Sequence, residues 1–157
     1  VPGGPSSERI AKILKDGASK VGIEVIPDPA EWSIFVDRLN NRKLDAGILM
    51  WGGTIESDPY QIWHSSQIEG RGSNFINFNS PEADAIIEEA RRTLDEGKRY
   101  ELYHKFHKLL HEEQPYTFLF ARPEPRFIDK RFKNVKIHIL GLDEHEWYVP
   151  KHLQKYK

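Results

Sequence analysis

The chain has 157 residues, 38% hydrophobic and 30% charged, and its 23 basic residues against 24 acidic ones leave a formal net charge of -1. That length can bury a real core, and the balanced charge gives no electrostatic reason to expect nucleic acid or an anionic membrane as partner. Zero cysteines exclude disulfides, thiol catalysis and thiolate metal sites, and no apolar run approaches the roughly 20 residues that span a bilayer.

The opening Val1-Pro2-Gly3-Gly4-Pro5 reads as a linker, so the chain is expected to be an excised piece of a longer protein. Ser6 or Ser7 then caps a helix near 7–21 whose apolar stripe is Ile10, Ile13, Leu14, Ala18 and Val21, with Gly22 as a left-handed stop. Residues 23–26 alternate like a strand, ended by Pro27 and Pro29. A second helix near 30–40 presents Trp32, Phe35, Val36 and Leu39 on one side and closes at Asn40-Asn41. Residues 46–51, Ala-Gly-Ile-Leu-Met-Trp, are apolar on both faces, as a central parallel strand between helices would be. Helices alternating with strands this early predict a layered α/β fold.

Residues 70–74 form a loop and 75–78 a short strand. Ser80-Pro81-Glu82 is a strong helix start, with Pro at the first helical position. Helices are predicted near 81–94, with Ala83, Ile86, Ile87, Ala90 and Leu94 inward, and near 98–113, with Leu102, Tyr103, Phe106, Leu109 and Leu110 inward. Pro115 stops the second, and strands are predicted at 117–120 and 135–139.

Three features carry possible chemistry. His104, His107 and His111 form a stripe on the last long helix, nearly opposite Phe106 at about 100° per residue. No carboxylate completes a metal set, and His111-Glu-Glu-Gln breaks the zincin pattern, so no metal site and no cofactor is expected. Gly52-Gly53-Thr54-Ile55 resembles the threonine-nucleophile motif of asparaginase-type amidohydrolases, an enzyme reading that needs a base and an oxyanion hole. No second Gly-Thr-Asp follows to supply the rest of that machinery. The same stretch also reads as a ligand-binding rim, since open α/β sheets hold ligands at the carboxyl ends of their strands. Trp51, Trp63 and Trp32 would then offer flat apolar surface, the glycines close backbone approach, and Glu56 and Asp58 contacts to an amine or hydroxyls. Against it stands a plainer possibility: Trp51 in the core, and Asp58-Pro59 capping a short helix.

Several motifs in order resemble one family. Glu31-Trp32-Ser-Ile-Phe35, Leu44-Asp45-Ala46, Trp51-Gly-Gly, Asp58-Pro59, Ser73-Asn74-Phe75 and Asn79-Ser80-Pro81-Glu82-Ala83-Asp84 are similar to the C-terminal lobe of family 5 extracellular solute-binding proteins. Arg99-Tyr-Glu-Leu-Tyr103 and Glu113-Gln114-Pro115-Tyr116 fit the same pattern, so the resemblance covers essentially the whole chain. It implies part of a type II periplasmic-binding-protein-like lobe, a mixed sheet flanked by helices, from a larger two-lobe protein that closes on its ligand. Residues 1–134 would be the partial ligand-binding lobe and 135–157 a segment crossing the hinge to the other lobe.

The function so implied is capture of a peptide-like solute for an ABC importer, without catalysis. The partners are that solute and a membrane permease, with no nucleic acid and no span of its own, in a periplasmic or cell-surface location. Trp32 and Trp51 match pocket tryptophans of the peptide receptors. Where those receptors place an Asp that pairs with the peptide ammonium, this chain has Thr54. A hydroxyl cannot supply that charge-assisted bond, worth ~1.5–3 kcal/mol. Arginines of some oligopeptide receptors fall on Leu39 and Ile48, and one extra residue separates Trp51 from Asp58. Either Glu56 or Asp58 takes the amine, or the solute is neutral, such as an oligosaccharide bonded to Thr54. The expected binding residues are Trp32, Trp51, Gly52, Gly53, Thr54, Glu56 and Asp58. A protein-partner module without a small ligand is the third class.

Overall fold

The computed structural model describes residues 1–53, 58–70, 72–121, 123, 125–139 and 141–155. Five α-helices order the described chain: α1 (Pro5–Ser19), α2 (Trp32–Asn40), the one-turn α3 (Tyr60–Trp63), α4 (Pro81–Arg92) and α5 (Glu96–Glu113). Their ends follow capping chemistry. Ser80 Oγ accepts the Ala83 N–H and Pro81 occupies the first helical position of α4. Asp95 caps α5 by accepting the Lys98 N–H at 2.9 Å. Gln114, left-handed at φ 47°, donates its N–H to the Leu110 carbonyl and ends α5 before Pro115. Past α1, Gly22 has φ 80°, the conformation its lack of a Cβ permits.

The core lies where α4 and α5 pack on each other and on α3. It joins Trp63, Phe78, Ala83, Ile87, Phe106, Leu109 and Leu110, with Ile86 and Tyr116 partly buried against it. Trp63 is its centre, edge-on to Phe78 at 5.7 Å and 4.5 Å from Tyr116. The inward stripes of both helices hold except at Leu94, which lies past the end of α4 and is exposed.

Loop 64–80 is tied by buried polar groups. The Asn74 amide is fully buried; its nitrogen donates to the Phe78 carbonyl at 2.7 Å, and its oxygen accepts the Phe78 N–H at 2.9 Å. The Arg42 guanidinium donates to the carbonyls of Ile68 and Asn74 at 2.6 and 2.8 Å. Ser66 N–H donates to His64 Nδ1 at 3.1 Å, which leaves Nε2 as the protonated nitrogen, 3.4 Å from Glu88. Gly72 is forced, because a Cβ there would sit 2.1 Å from the Gln67 carbonyl oxygen.

The parallel strands expected at 23–26 and 46–51 do not form ladders among the described residues. Nor do the strands expected at 75–78 and 117–120. Among the described residues the regular strands are β1 (Ile137–His138) and β2 (Gly141–Leu142), paired antiparallel. The physical reason is that a strand needs a neighbouring edge to bond with, and no described segment pairs with 46–51 in a ladder. Its side chains are correspondingly open, with Met50 78% exposed. The α1 stripe is likewise largely uncovered: Ile10 and Ala18 are partly buried and Ile13, Leu14 and Val21 face solvent, while the buried residue is Ala11, outside that stripe. Helix α2, expected near 30–40, starts at Trp32 because Glu31 caps it through the Ser33 N–H at 2.9 Å.

Candidate functional site

A cleft of about 580 Å³ opens between residues 51–53 and 58–59 on one side and the C-terminal half of α5 on the other. Trp51, Gly52, Gly53 and Asp58 line it together with Gln61, Ile62, Trp63, Phe106, His107, Leu110, His111 and Phe118. The volume lies within the range of small-ligand pockets, about 300–1,000 Å³, and the floor is apolar and aromatic as such pockets are.

Each rim group is held by identifiable neighbours. Trp51, 43% exposed, stacks nearly parallel on Phe75 with centroids 6.2 Å apart. Phe75 in turn lies under the Arg42 guanidinium at 5.7 Å. The indole is also hydrogen-bonded to the Tyr116 phenol, whose pKa burial pushes up, against opposing contributions from Trp51 and Arg42. Trp51 is therefore fixed on one face and open on the other. A Cβ at Gly52 or Gly53 would meet nothing within 4 Å. Asp58 Oδ1 accepts the Tyr60 N–H at 3.0 Å, and Oδ2 receives Arg91 Nε at 3.2 Å. The same guanidinium lies 4.2 Å from the Tyr60 ring centroid. Asp58 thus both accepts the first N–H of the short helix and lines the cleft.

Thr54 and Glu56 lie outside the described residues. Trp32 is not among the residues lining this cleft; it sits on α2, 58% exposed, stacked on Phe35 at 5.9 Å. Trp63 is buried at the cleft floor and offers no free face as a rim residue. His104, His107 and His111 are exposed, in keeping with a stripe away from Phe106, and two of them also border the cleft. His107 follows Phe106 and is one turn from His111, so the two flank the buried stripe and share the cleft wall with Phe106 and Leu110. Hydrophobic spacing finds the buried stripe but does not reveal that the rim loop lies across its polar border. Among the described residues no group of three or more His, Asp or Glu side chains is placed to hold a metal.

No family model matches the chain. The oligopeptide-binding protein AppA of Bacillus subtilis is 32% identical over 83% of this chain and 24% of its own length. The structure of that protein in complex with a nonapeptide aligns over 92% of this chain and 29% of its own, with a TM-score of 0.73 and 28% identity. Di/tripeptide-binding protein 1 of Pseudomonas aeruginosa is 28% identical over 74% of this chain and 22% of its own length. A probable D,D-dipeptide-binding periplasmic protein of Escherichia coli is 25% identical over 82% and 25%. The chain spans about a quarter of the length of these curated relatives, which are binding proteins and not enzymes.

Proposed function

We propose, from the premise that this chain is a lobe segment of the family 5 type of extracellular solute-binding protein, that it forms one wall of a site capturing a peptide-like solute for an ABC importer. The observation that carries the reading is the cleft beside Trp51, Gly52 and Gly53. Trp51 is braced on one face by Phe75 and offers the other, a geometry suited to stacking and apolar contact. Nothing described crowds either glycine, so a ligand can approach the backbone closely there. The relatives named above are binding proteins. Binding without turnover is therefore favoured over the amidohydrolase reading of Thr54.

The relatives named above are oligopeptide, di/tripeptide and D,D-dipeptide binders. They support a peptide over the oligosaccharide alternative. One lobe encloses only part of a solute, so closure against a second lobe would complete the site. The segment 135–157 is proposed to cross between the lobes. A periplasmic or cell-surface location accords with the relatives, and no described helix is long and apolar enough to cross a membrane.

The test is to incubate the intact protein with a mixed peptide library and recover bound and free peptides by mass spectrometry. The reading predicts bound, uncleaved peptides. Amide hydrolysis lost on Thr54→Ala would establish the enzyme instead. A small-solute panel that leaves tryptophan emission unmoved would favour a protein-partner module.

A further inference from the structure

Helix α2 ends in a left-handed turn that favours glycine yet holds an arginine. Past the cap residue Asn41, the Arg42 N–H donates to the Leu39 carbonyl at 3.1 Å and the Lys43 N–H to the Arg38 carbonyl at 2.8 Å. Those two bonds make a Schellman ending, and Arg42, at φ 55°, stands in its left-handed position. A side chain is disfavoured there, because its Cβ crowds a backbone that glycine leaves free. The helix ending makes no use of the arginine side chain, since both bonds join backbone groups.

That side chain reaches the support of the rim. Its Nη2 donates to the carbonyls of Ile68 and Asn74 at 2.6 and 2.8 Å, so one nitrogen ties two points of loop 64–80 to the end of α2. The guanidinium carbon lies 5.7 Å from the centroid of Phe75, within cation–π reach. Phe75 in turn lies parallel to Trp51 within 7°. Tyr116, hydrogen-bonded to the Trp51 indole, also feels the Arg42 charge. Arg42 thus contacts the ring that backs Trp51 and anchors the loop that carries that ring.

We propose that Arg42 is a positioning residue for solute capture, setting the plane of the Trp51 indole through Phe75 and loop 64–80. The proposal rests on the peptide-capture reading above and adds to it a residue outside the described cleft lining. Arg42 acts through Phe75 and does not need to touch the solute. A ring already held in its bound plane loses less freedom when a solute packs on it, which strengthens binding.

The test is Arg42→Gly, which keeps both bonds of the helix ending and suits the left-handed turn while removing the side chain. The intact protein, labelled with fluorotryptophan, is followed by fluorine NMR, and the Trp51 resonance is the one missing from Trp51→Ala. Arg42→Gly should move that resonance and leave far-UV circular dichroism unchanged. Equilibrium dialysis against the mixed peptide library should then show retained peptide reduced by about two- to fivefold, the scale of one exposed cation–π contact. In a Trp51→Ala background the same substitution should reduce it no further, whereas a merely structural role would act equally in both backgrounds. Phe75→Leu leaves the carbonyl ties alone and should repeat the pattern, which keeps the proposal falsifiable even where loss of those ties unfolds Arg42→Gly. An unmoved Trp51 resonance, unchanged retention, or an equal loss with and without Trp51 would overturn the positioning role and leave peptide capture standing. A parent protein that retains no peptide would overturn peptide capture and this role with it, whatever the resonance does.

Discussion

Replacing Asn74 by Ala should be among the most damaging single changes away from the apolar core. The Asn74 amide has two protons and lies 2.7, 3.2 and 3.4 Å from the carbonyls of Phe78, His64 and Trp63, so only the first two are well served. His64 keeps a second donor without it, the Gln67 N–H at 2.9 Å. Phe78 does not: its N–H is given to Asn74 Oδ1 at 2.9 Å, and the residue is buried. Asn74→Ala therefore orphans two buried backbone groups at ~1–3 kcal/mol each, a predicted loss of about 2–6 kcal/mol. That is a large part of the about 5–15 kcal/mol that holds a domain together. Urea unfolding followed by far-UV circular dichroism measures it. Asn74→Asp should be comparably damaging at neutral pH, because a carboxylate oxygen would face the Phe78 carbonyl. It should recover in part under acid, where a protonated carboxyl can donate. A midpoint for Asn74→Ala within about 0.5 kcal/mol of the parent, the range of an ordinary surface change, would refute the reasoning.

Trp63→Ala should cost about 3–5 kcal/mol, since it empties the centre of the core. Trp32→Ala should cost about 0.5–1.5 kcal/mol, the value of its stack on Phe35. Equal costs in parallel melts would contradict the assignment of one indole to the core and the other to the surface. Glu31 is held below the ordinary glutamate pKa, first by the Ser33 hydroxyl and then by the Ser33 N–H. Its cap on α2 is therefore present above the unfolded-state value and lost as pH falls through the folded one. The Ser33 amide resonance should shift with a midpoint below that of a free glutamate, and a midpoint at or above it would contradict the cap.

The helices were legible because their signals are local. Ser80-Pro81 and Gly22 need only their own neighbours to cap or stop a helix, and the stripes of α4 and α5 are read from spacing alone. The Asp95 cap of α5 was missed for an equally local reason, since Asp-Glu-Gly also reads as a break. Strands are different. Residues 23–26 and 46–51 carry strand-like patterns, yet a ladder also depends on a partner edge, and no described residue provides one. The rim at Trp51–Gly53 was readable as a candidate from its glycines and aromatics. The opposite wall was not, because nothing in the order of residues says that His107 and His111 lie across from that loop. The Asp58–Arg91 pair is hidden for the same reason: 33 positions separate the two side chains, and only the packing of α3 on α4 brings them together.

Residues 51–53 and 58 are proposed as a rim that grips a solute without breaking bonds in it. Its most direct test is the dissociation constant of the intact protein for a captured peptide, measured by calorimetry with and without Trp51→Ala. The account predicts weaker binding by about tenfold, the scale of one lost aromatic contact of about 1.5 kcal/mol, with the far-UV spectrum unchanged. An affinity untouched by the substitution, in a variant that still folds, would place the solute elsewhere and contradict the account.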